Sequence, residues 1–195
     1  MEDHWETLGL GFGCIYTGFL GSSEQVDLML DVIRRFGSGA RIVVDPVMAD
    51  FGELYGTFGR DFPSKMLSLC RKADIIVPNM TEAYLLLGEE YREGPYSKEE
   101  VSRILRRLSS EGPRGVVLTG VYTDGDSIGA ATYDRTSDAV RFHMAPAVEG
   151  TYHGSGDLLS SALVGAVEAG RDLADAADIA VRFTQRSVLS TFEAG

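Results

Sequence analysis

The sequence has few cysteines, no long apolar run and no basic leader. Its two cysteines, Cys14 and Cys70, lie in apolar stretches without the spacing of a metal or redox pair, so we interpret them as reduced core residues. No apolar run approaches the roughly 18 residues that a membrane span needs, and residues 1–5 do not resemble a signal peptide. We therefore expect a cytoplasmic protein without a membrane partner.

An excess of positive charge is also lacking. The chain has 18 Lys and Arg residues against 29 Asp and Glu residues, a formal net charge of -11, and no cluster of basic residues. Because a large polyanion would be repelled, we do not expect a nucleic-acid partner. A small polyanion such as ATP remains compatible with this charge, since backbone N–H groups and Mg²⁺ can hold phosphates in an acidic protein.

The hydrophobic pattern alternates between strand and helix periodicity, which predicts an α/β fold. The predicted strands are 10–16, 41–45, 74–77 and 116–119, followed by an antiparallel hairpin within 127–144 near a sheet edge. The predicted helices are 22–36, 58–69, 81–87, 97–109, 157–169 and 172–192. Since the chain is 44% hydrophobic and has no linker or repeat, we expect residues 1–195 to form one domain.

Three polar residues end predicted strands or follow them closely. Asp45, Asn79 and Thr119 should therefore meet at the carboxyl edge of a parallel sheet, where open α/β folds bind ligands. Each also has a simpler interpretation, because Asp45 before Pro46 suits a turn and Asn79 suits a helix cap. Glu82 would then be an ordinary acidic residue of a first helical turn.

The glycine loop Gly154-Ser155-Gly156-Asp157 directly precedes a predicted helix. Such a loop lets a phosphate approach the free N–H groups and the positive dipole of the first turn, and Asp157 could accept the proton of an attacking hydroxyl. A tight turn with Asp157 as a cap explains the pattern equally well. The sequence has no Gly-Lys-Ser or Gly-Lys-Thr, so a Walker-type P-loop is excluded.

Four ordered segments together resemble the pyridoxal kinases of the ribokinase-like superfamily. They are Tyr16–Ser22, Val44–Asp50, Ala73–Glu82 and Gly154–Asp157. The resemblance implies a three-layer ribokinase-like fold with a mostly parallel central sheet flanked by helices. It also implies an N-terminally incomplete chain, because members of that family carry an opening strand, a helix and a flap before the first segment.

The resemblance implies ATP-dependent phosphorylation of the 5′-hydroxymethyl group of pyridoxal, pyridoxamine or pyridoxine, by a cytoplasmic and homodimeric enzyme. Asp157 corresponds to the catalytic base of the family, and Gly154, Ser155 and Gly156 correspond to its anion hole. Asp45, Asn79 and Glu82 match positions that organise Mg²⁺ and the ATP phosphates, with Asp45 and Glu82 acting on the metal partly through water.

The remaining correspondences concern the nucleotide and the acceptor. Thr119 and Tyr55 resemble residues near the nucleotide phosphates, and Val148 and Tyr152 lie in the segment of the adenine pocket. Phe19 stands where the family often has a tyrosine near the pyridine ring, so a phenolic hydrogen bond is lost. A core position explains Phe19 equally well, and a solvent-facing loop position explains Tyr55 nearly as well. We interpret His153 as structural.

Two other functions stay open. Hydroxymethylpyrimidine kinases of thiamine synthesis resemble the same fold, but many of them have cysteine at the position of Asp157, which favours pyridoxal here. A sugar or nucleoside kinase of the superfamily is a weaker alternative. The chain could also be a non-catalytic nucleotide- or vitamer-binding remnant, and the sequence leaves open whether these 195 residues alone are active.

Overall fold

A computed structural model describes residues 2–194 and contains eight strands and seven helices in that range. The strands are β1 (Cys14–Thr17), β2 (Arg41–Val44), β3 (Ala49–Asp50), β4 (Glu53–Leu54), β5 (Ile75–Ile76), β6 (Gly115–Val121), β7 (Ser127–Asp134) and β8 (Ala139–Pro146). The helices are α1 (Glu2–Thr7), α2 (Ser23–Phe36), α3 (Phe62–Cys70), α4 (Met80–Leu86), α5 (Lys98–Ser110), α6 (Ser155–Glu168) and α7 (Leu173–Ala194). In this range no helix is both long and apolar enough for a membrane span.

Six strands form one mixed sheet in the order β1-β2-β5-β6-β7-β8. The pairs β1–β2, β2–β5 and β5–β6 are parallel, whereas β7 and β8 continue the sheet in antiparallel pairs. The hairpin predicted from Ser127 to Met144 is therefore confirmed, and β8 forms the edge strand that the prediction required. β3 and β4 form a separate two-stranded hairpin.

The sheet lies between two layers of helices, which confirms the predicted layered α/β fold. Alternate residues along the strands face opposite layers: Val44 and Ile76 pack with α2, α3, α4 and α5, and Val43 and Ile75 pack with α6 and α7. This alternation follows from the two-residue period of a strand. Strands buried on both faces also explain why the parallel strands read as continuous apolar runs.

Local capping explains why several helices begin where the sequence predicts. Ser22 accepts a hydrogen bond from the Gln25 N–H at 3.4 Å, and Ser97 accepts one from the Glu100 N–H at 3.1 Å. The predicted start of the helix 58–69 is wrong, since the observed helix α3 begins at Phe62. Pro at position 63 falls in the first turn, where its missing N–H leaves no helical bond unmade.

The structure also differs from the prediction near the amino end and after β2. The strand predicted from Leu10 begins only at Cys14, and Leu10 is exposed. Helix α1 was not predicted. The predicted loop after Pro46 contains the β3–β4 hairpin, whose turn residues Phe51 and Gly52 both have positive φ, 49° and 82°. Such φ values are typical of hairpin turns, but phenylalanine rarely adopts them.

The helix layer around α5 gives a prediction about stability. Leu105 is fully buried in α5, whereas Leu28 in α2 is 51% exposed. We expect Leu105→Ala to lower the free energy of unfolding by about 2–5 kcal/mol, because it leaves a cavity. Leu28→Ala, the same chemical change on the surface, should change it by less than about 0.5 kcal/mol. Urea unfolding measures both, and equal losses would contradict the described packing.

Candidate active site

The parallel strands bring the three predicted strand-end residues to one edge of the sheet. Asp45 directly follows β2, and its N–H donates to the carbonyl of Thr17 at the end of β1, at 2.9 Å. Asn79 and Thr119 form an isolated parallel bridge beyond β5, with the Thr119 N–H bonded to the carbonyl of Pro78 at 2.9 Å. Their convergence, which the sequence predicts from topology, is thus present in the structure.

The Asp45 side chain is a buried carboxylate that is held by two hydroxyl groups. Its Oδ2 accepts hydrogen bonds from the Ser160 hydroxyl at 2.7 Å and from the Tyr16 phenol at 3.4 Å. The pKa of Asp45 is raised to about 6, mainly by burial and also by the nearby Asp157 carboxylate, while the hydrogen bonds from the two hydroxyls oppose the shift. None of these groups is a cation, so the partners of Asp45 within residues 2–194 do not neutralise its negative charge.

The glycine loop opens α6 as predicted. Gly154 is the N-cap residue and has a φ of 82°, a conformation that side chains rarely allow, and no side chain caps the first turn. A Cβ on Gly154 or on Gly156 would meet no atom within 4 Å, so the space in front of the helix is open. Asp157 lies exposed in this first turn. The Ser155 N–H donates to the Tyr152 carbonyl at 3.3 Å, and the open space and the helix dipole beyond it suit an anion.

Asn79 and Glu82 bind each other and the loop after β2. The Asn79 side chain accepts from the Glu82 N–H at 2.8 Å, and the Glu82 carboxylate accepts from the Asn79 N–H at 2.8 Å, which makes a capping box for α4. Glu82 also accepts from the Met48 N–H at 3.0 Å, while the Asn79 amide donates to the Ala49 carbonyl at 2.8 Å. Asn79 is therefore the N-cap of α4, as the simpler interpretation of the sequence expects.

These contacts bear on the predicted Mg²⁺ residues. Residues 2–194 hold no group of three or more His, Cys, Asp or Glu side chains arranged to bind a metal. Mg²⁺ does not need one, since it keeps several waters and usually takes one or two carboxylates together with substrate phosphates. The uncompensated carboxylate of Asp45 fits that mode. Both oxygens of Glu82 already accept hydrogen bonds from backbone N–H groups. Its predicted contribution to the Mg²⁺ site would therefore be made through a water molecule or by positioning the loop after β2.

A cavity of about 330 Å³ adjoins the glycine loop. Tyr152 and His153 line it together with the start of α6, and the far wall comes from α7, with Ser187, Val188 and Thr191. Tyr152 is fixed by a bond from its hydroxyl to the Glu149 carbonyl at 2.8 Å, whereas Val148 is half-buried outside the lining. The contribution of α7 was not predicted, because nothing in its pattern differs from that of an ordinary amphipathic helix.

A row of aromatic side chains includes the two predicted site residues Phe19 and Tyr55. Phe19 is 57% exposed, and its ring lies 5.7 Å from that of Phe58, which stacks on Phe62 at 3.9 Å. The Tyr55 ring lies 6.5 Å from Phe58. Burial raises the pKa of Tyr55, and the carboxylates of Asp50, Glu82, Asp157 and Asp45 add to that shift. Tyr55 is therefore within electrostatic reach of the site.

Comparison with known proteins places the chain in a family. The phosphomethylpyrimidine kinase family model matches residues 7–195. A pyridoxal kinase of Arabidopsis thaliana is 27% identical over 194 residues, which cover 92% of this chain and 59% of the plant protein. The chain thus spans less than two thirds of that relative's length.

Solved structures agree in fold along nearly the whole chain. A Bacteroides thetaiotaomicron protein assigned as a phosphomethylpyrimidine kinase is 34% identical with a TM-score of 0.94, over 98% of this chain and 66% of that one, and a second crystal form of it contains pyridoxal. A Staphylococcus aureus pyridoxal kinase in complex with ADP is 25% identical with a TM-score of 0.79, over 94% and 65% of the two chains. The homologues of this chain include pyridoxal kinases. The chain therefore belongs to the phosphomethylpyrimidine kinase family, whose members are ribokinase-like phosphotransferases that act on an alcohol group.

Proposed function

We propose that this chain is the nucleotide-binding and catalytic portion of a kinase that transfers the γ-phosphate of ATP to the 5′-hydroxymethyl group of pyridoxal, pyridoxamine or pyridoxine. The observation that carries the proposal is the glycine-opened start of α6, where Asp157 stands in the first turn near the buried carboxylate of Asp45. The pyridoxal in the Bacteroides structure and the ADP in the Staphylococcus structure support the choice of substrates.

In this mechanism each residue has a separate task. The N–H groups of Gly154 and Gly156 and the dipole of α6 hold the phosphate that is transferred, beside Ser155, whose N–H donates to the Tyr152 carbonyl at 3.3 Å. Asp157 accepts the proton of the acceptor hydroxyl as its oxygen attacks phosphorus, a contribution of about 10²–10⁴-fold. Mg²⁺, when bound beside Asp45, supplies charge neutralisation for the phosphates. Thr119 lies next to Asn79 at the same edge, and we assign it a contact with a nucleotide phosphate.

The exposed ring of Phe19 offers an apolar surface to the acceptor ring. Phe19 presents an exposed ring at the end of the row that Phe58 and Phe62 continue, so an aromatic ring can stack there. Hydroxymethylpyrimidine is the second candidate acceptor, because the family model and the Bacteroides assignment both refer to phosphomethylpyrimidine. Asp157, at a position where many of those enzymes have cysteine, favours the pyridine.

The choice of acceptor gives the first test of this function. We expect kcat/KM to be higher for pyridoxal, pyridoxamine and pyridoxine than for hydroxymethylpyrimidine, because the two rings differ in hydrogen-bonding groups. The four acceptors are compared on the shortest form of the protein that turns over, since the relatives extend beyond the matched region. A preference for the pyrimidine would assign the enzyme to thiamine synthesis. Nucleotide binding without turnover of any acceptor would favour a binding module.

The role of Asp157 gives a second test. Asp157→Asn keeps the size of the side chain and removes the proton acceptor, so kcat should fall about 10²–10⁴-fold while the dissociation constant for ATP stays nearly unchanged. Asp126→Asn, the same change at an exposed turn residue, is the control and should alter neither value. A kcat close to that of the unsubstituted enzyme would exclude Asp157 as the base.

The buried charge of Asp45 gives a third test, which needs no activity. Because the folded-state pKa of Asp45 is raised to about 6, the folded protein binds this proton more tightly than the unfolded chain does. The free energy of unfolding should therefore fall by about 2–3 kcal/mol as pH rises from about 4 to 6, and it should stay lowered by that amount at pH 8.

Asp45→Asn removes that penalty and keeps an acceptor for both hydroxyls. We expect the Asn variant to be the more stable protein at pH 8, with an advantage that shrinks below pH 6 and is absent near pH 4. Urea unfolding at several pH values measures the difference, again with Asp126→Asn as control. If Asp45→Asn proves less stable than the parent at pH 8, the carboxylate is compensated and a cation is not required there.

A further inference from the structure

Ser160 is a buried helix residue that the sequence does not single out. It lies three residues after Asp157 on α6, its side chain is 2% exposed, and its hydroxyl donates to Asp45 across 115 residues of sequence at 2.7 Å. The acceptor is a carboxylate at the edge of the sheet, so the bond joins α6 directly to the residue that follows β2. Charge-assisted bonds of this length belong to the stronger hydrogen bonds of proteins.

The direction of this bond is unusual for a serine within a helix. Such hydroxyls commonly donate to the carbonyl three or four residues earlier, which satisfies them locally. Four other helix serines of the described chain do this, at 2.6–3.2 Å: Ser68, Ser102, Ser110 and Ser187. Ser160 instead gives its proton to another element. Local satisfaction of the hydroxyl therefore does not explain this contact.

We propose that Ser160 is a positioning residue that sets the Asp45 carboxylate relative to the glycine loop and Asp157. This proposal rests on the proposed function, in which Asp45 serves Mg²⁺ and α6 holds the phosphate. Asp157 and Ser160 are one turn apart on the same helix. The bond from Ser160 to Asp45 therefore fixes the position of the Asp45 carboxylate relative to that of Asp157. The phenol of Tyr16, at 3.4 Å from the same oxygen, is the weaker second support.

Loss of this bond should weaken the binding of Mg²⁺ and leave the binding of metal-free ATP unchanged. Without the Ser160 hydroxyl, the Asp45 carboxylate keeps its charge but loses the shorter of its two contacts, so it can turn away from the metal position. Residues that orient a metal-binding side chain typically change metal affinity or activity about 10–100-fold when substituted. A bond that only stabilised the fold would instead change the free energy of unfolding and leave the metal dependence unaltered.

The test compares four variants of the chain by calorimetry, with ATP in the presence of Mg²⁺ and with ATP in the presence of EDTA. Ser160→Ala removes the hydroxyl. Ser160→Cys keeps nearly the same volume with only a weak donor, and Ser160→Thr restores the hydroxyl. Ser161→Ala is the matched control, because Ser161 is the next residue of the same helix and is exposed. Urea unfolding of each variant verifies that it is folded.

We expect Ser160→Ala and Ser160→Cys to weaken Mg²⁺-dependent ATP binding about 10-fold or more, with unchanged binding of metal-free ATP. Ser160→Thr should recover most of the affinity, and Ser161→Ala should match the parent. In the form of the enzyme that turns over, kcat should fall in the same order while KM for the vitamer stays constant.

Equal losses with and without Mg²⁺, or no loss in either condition, would overturn the positioning role of Ser160 and leave the proposed kinase function standing. If Ser160→Ala is unfolded, Ser160→Cys decides in its place. If ATP binding by the parent chain does not respond to Mg²⁺ at all, the assignment of Asp45 to the metal fails, and the role proposed for Ser160 fails with it.

Discussion

The buried carboxylate of Glu82 is the contact on which the geometry of the sheet edge depends. Chain that leaves a parallel strand loses its ladder partners, and its buried N–H groups must find other acceptors. Glu82 supplies them for Met48 and for Asn79, and Asn79 returns a bond to Ala49. One side chain thereby ties the loop after β2 to the end of β5. The bridge from Asn79 to Thr119 extends the same tie to β6.

Two acidic residues are buried close to this edge, and their carboxylates accept hydrogen bonds from different kinds of donor. Burial raises the pKa of Glu82 to about 8, although the backbone N–H groups that it accepts from oppose this shift. Asp45 has only the hydroxyls of Ser160 and Tyr16, and Asp157 adds a second negative charge nearby. Hydrogen bonds reach both carboxylates, but burial still disfavours the charged form of each, and each of the two raises the cost of charge at this edge. A cation bound at the edge would therefore favour the ionised form of both residues.

The parts of the site that the sequence predicts are those encoded locally. Asp45 is marked as a strand end by Pro46, and the glycine loop by the helix that follows it, so neither requires knowledge of distant contacts. Ser160 and Tyr16 could not be identified, because their partner is fixed only by the tertiary fold and a helix serine looks alike in any context. The β3–β4 hairpin escaped for a different reason, since two-residue strands carry no periodicity and Phe51 does not suggest a positive φ.

The layer made by α6 and α7 has a consequence for how the protein is made in the cell. These helices are the last elements of the described chain, yet they alone cover the sheet face that includes Val43, Ile75 and Val117. While they are still being translated, none of the other described helices covers that apolar face of the nascent chain, although α2 to α5 of the opposite layer have already been made. The emerging polypeptide is therefore expected to expose apolar surface until α6 and α7 have been made, a state in which partly folded chains are prone to aggregate.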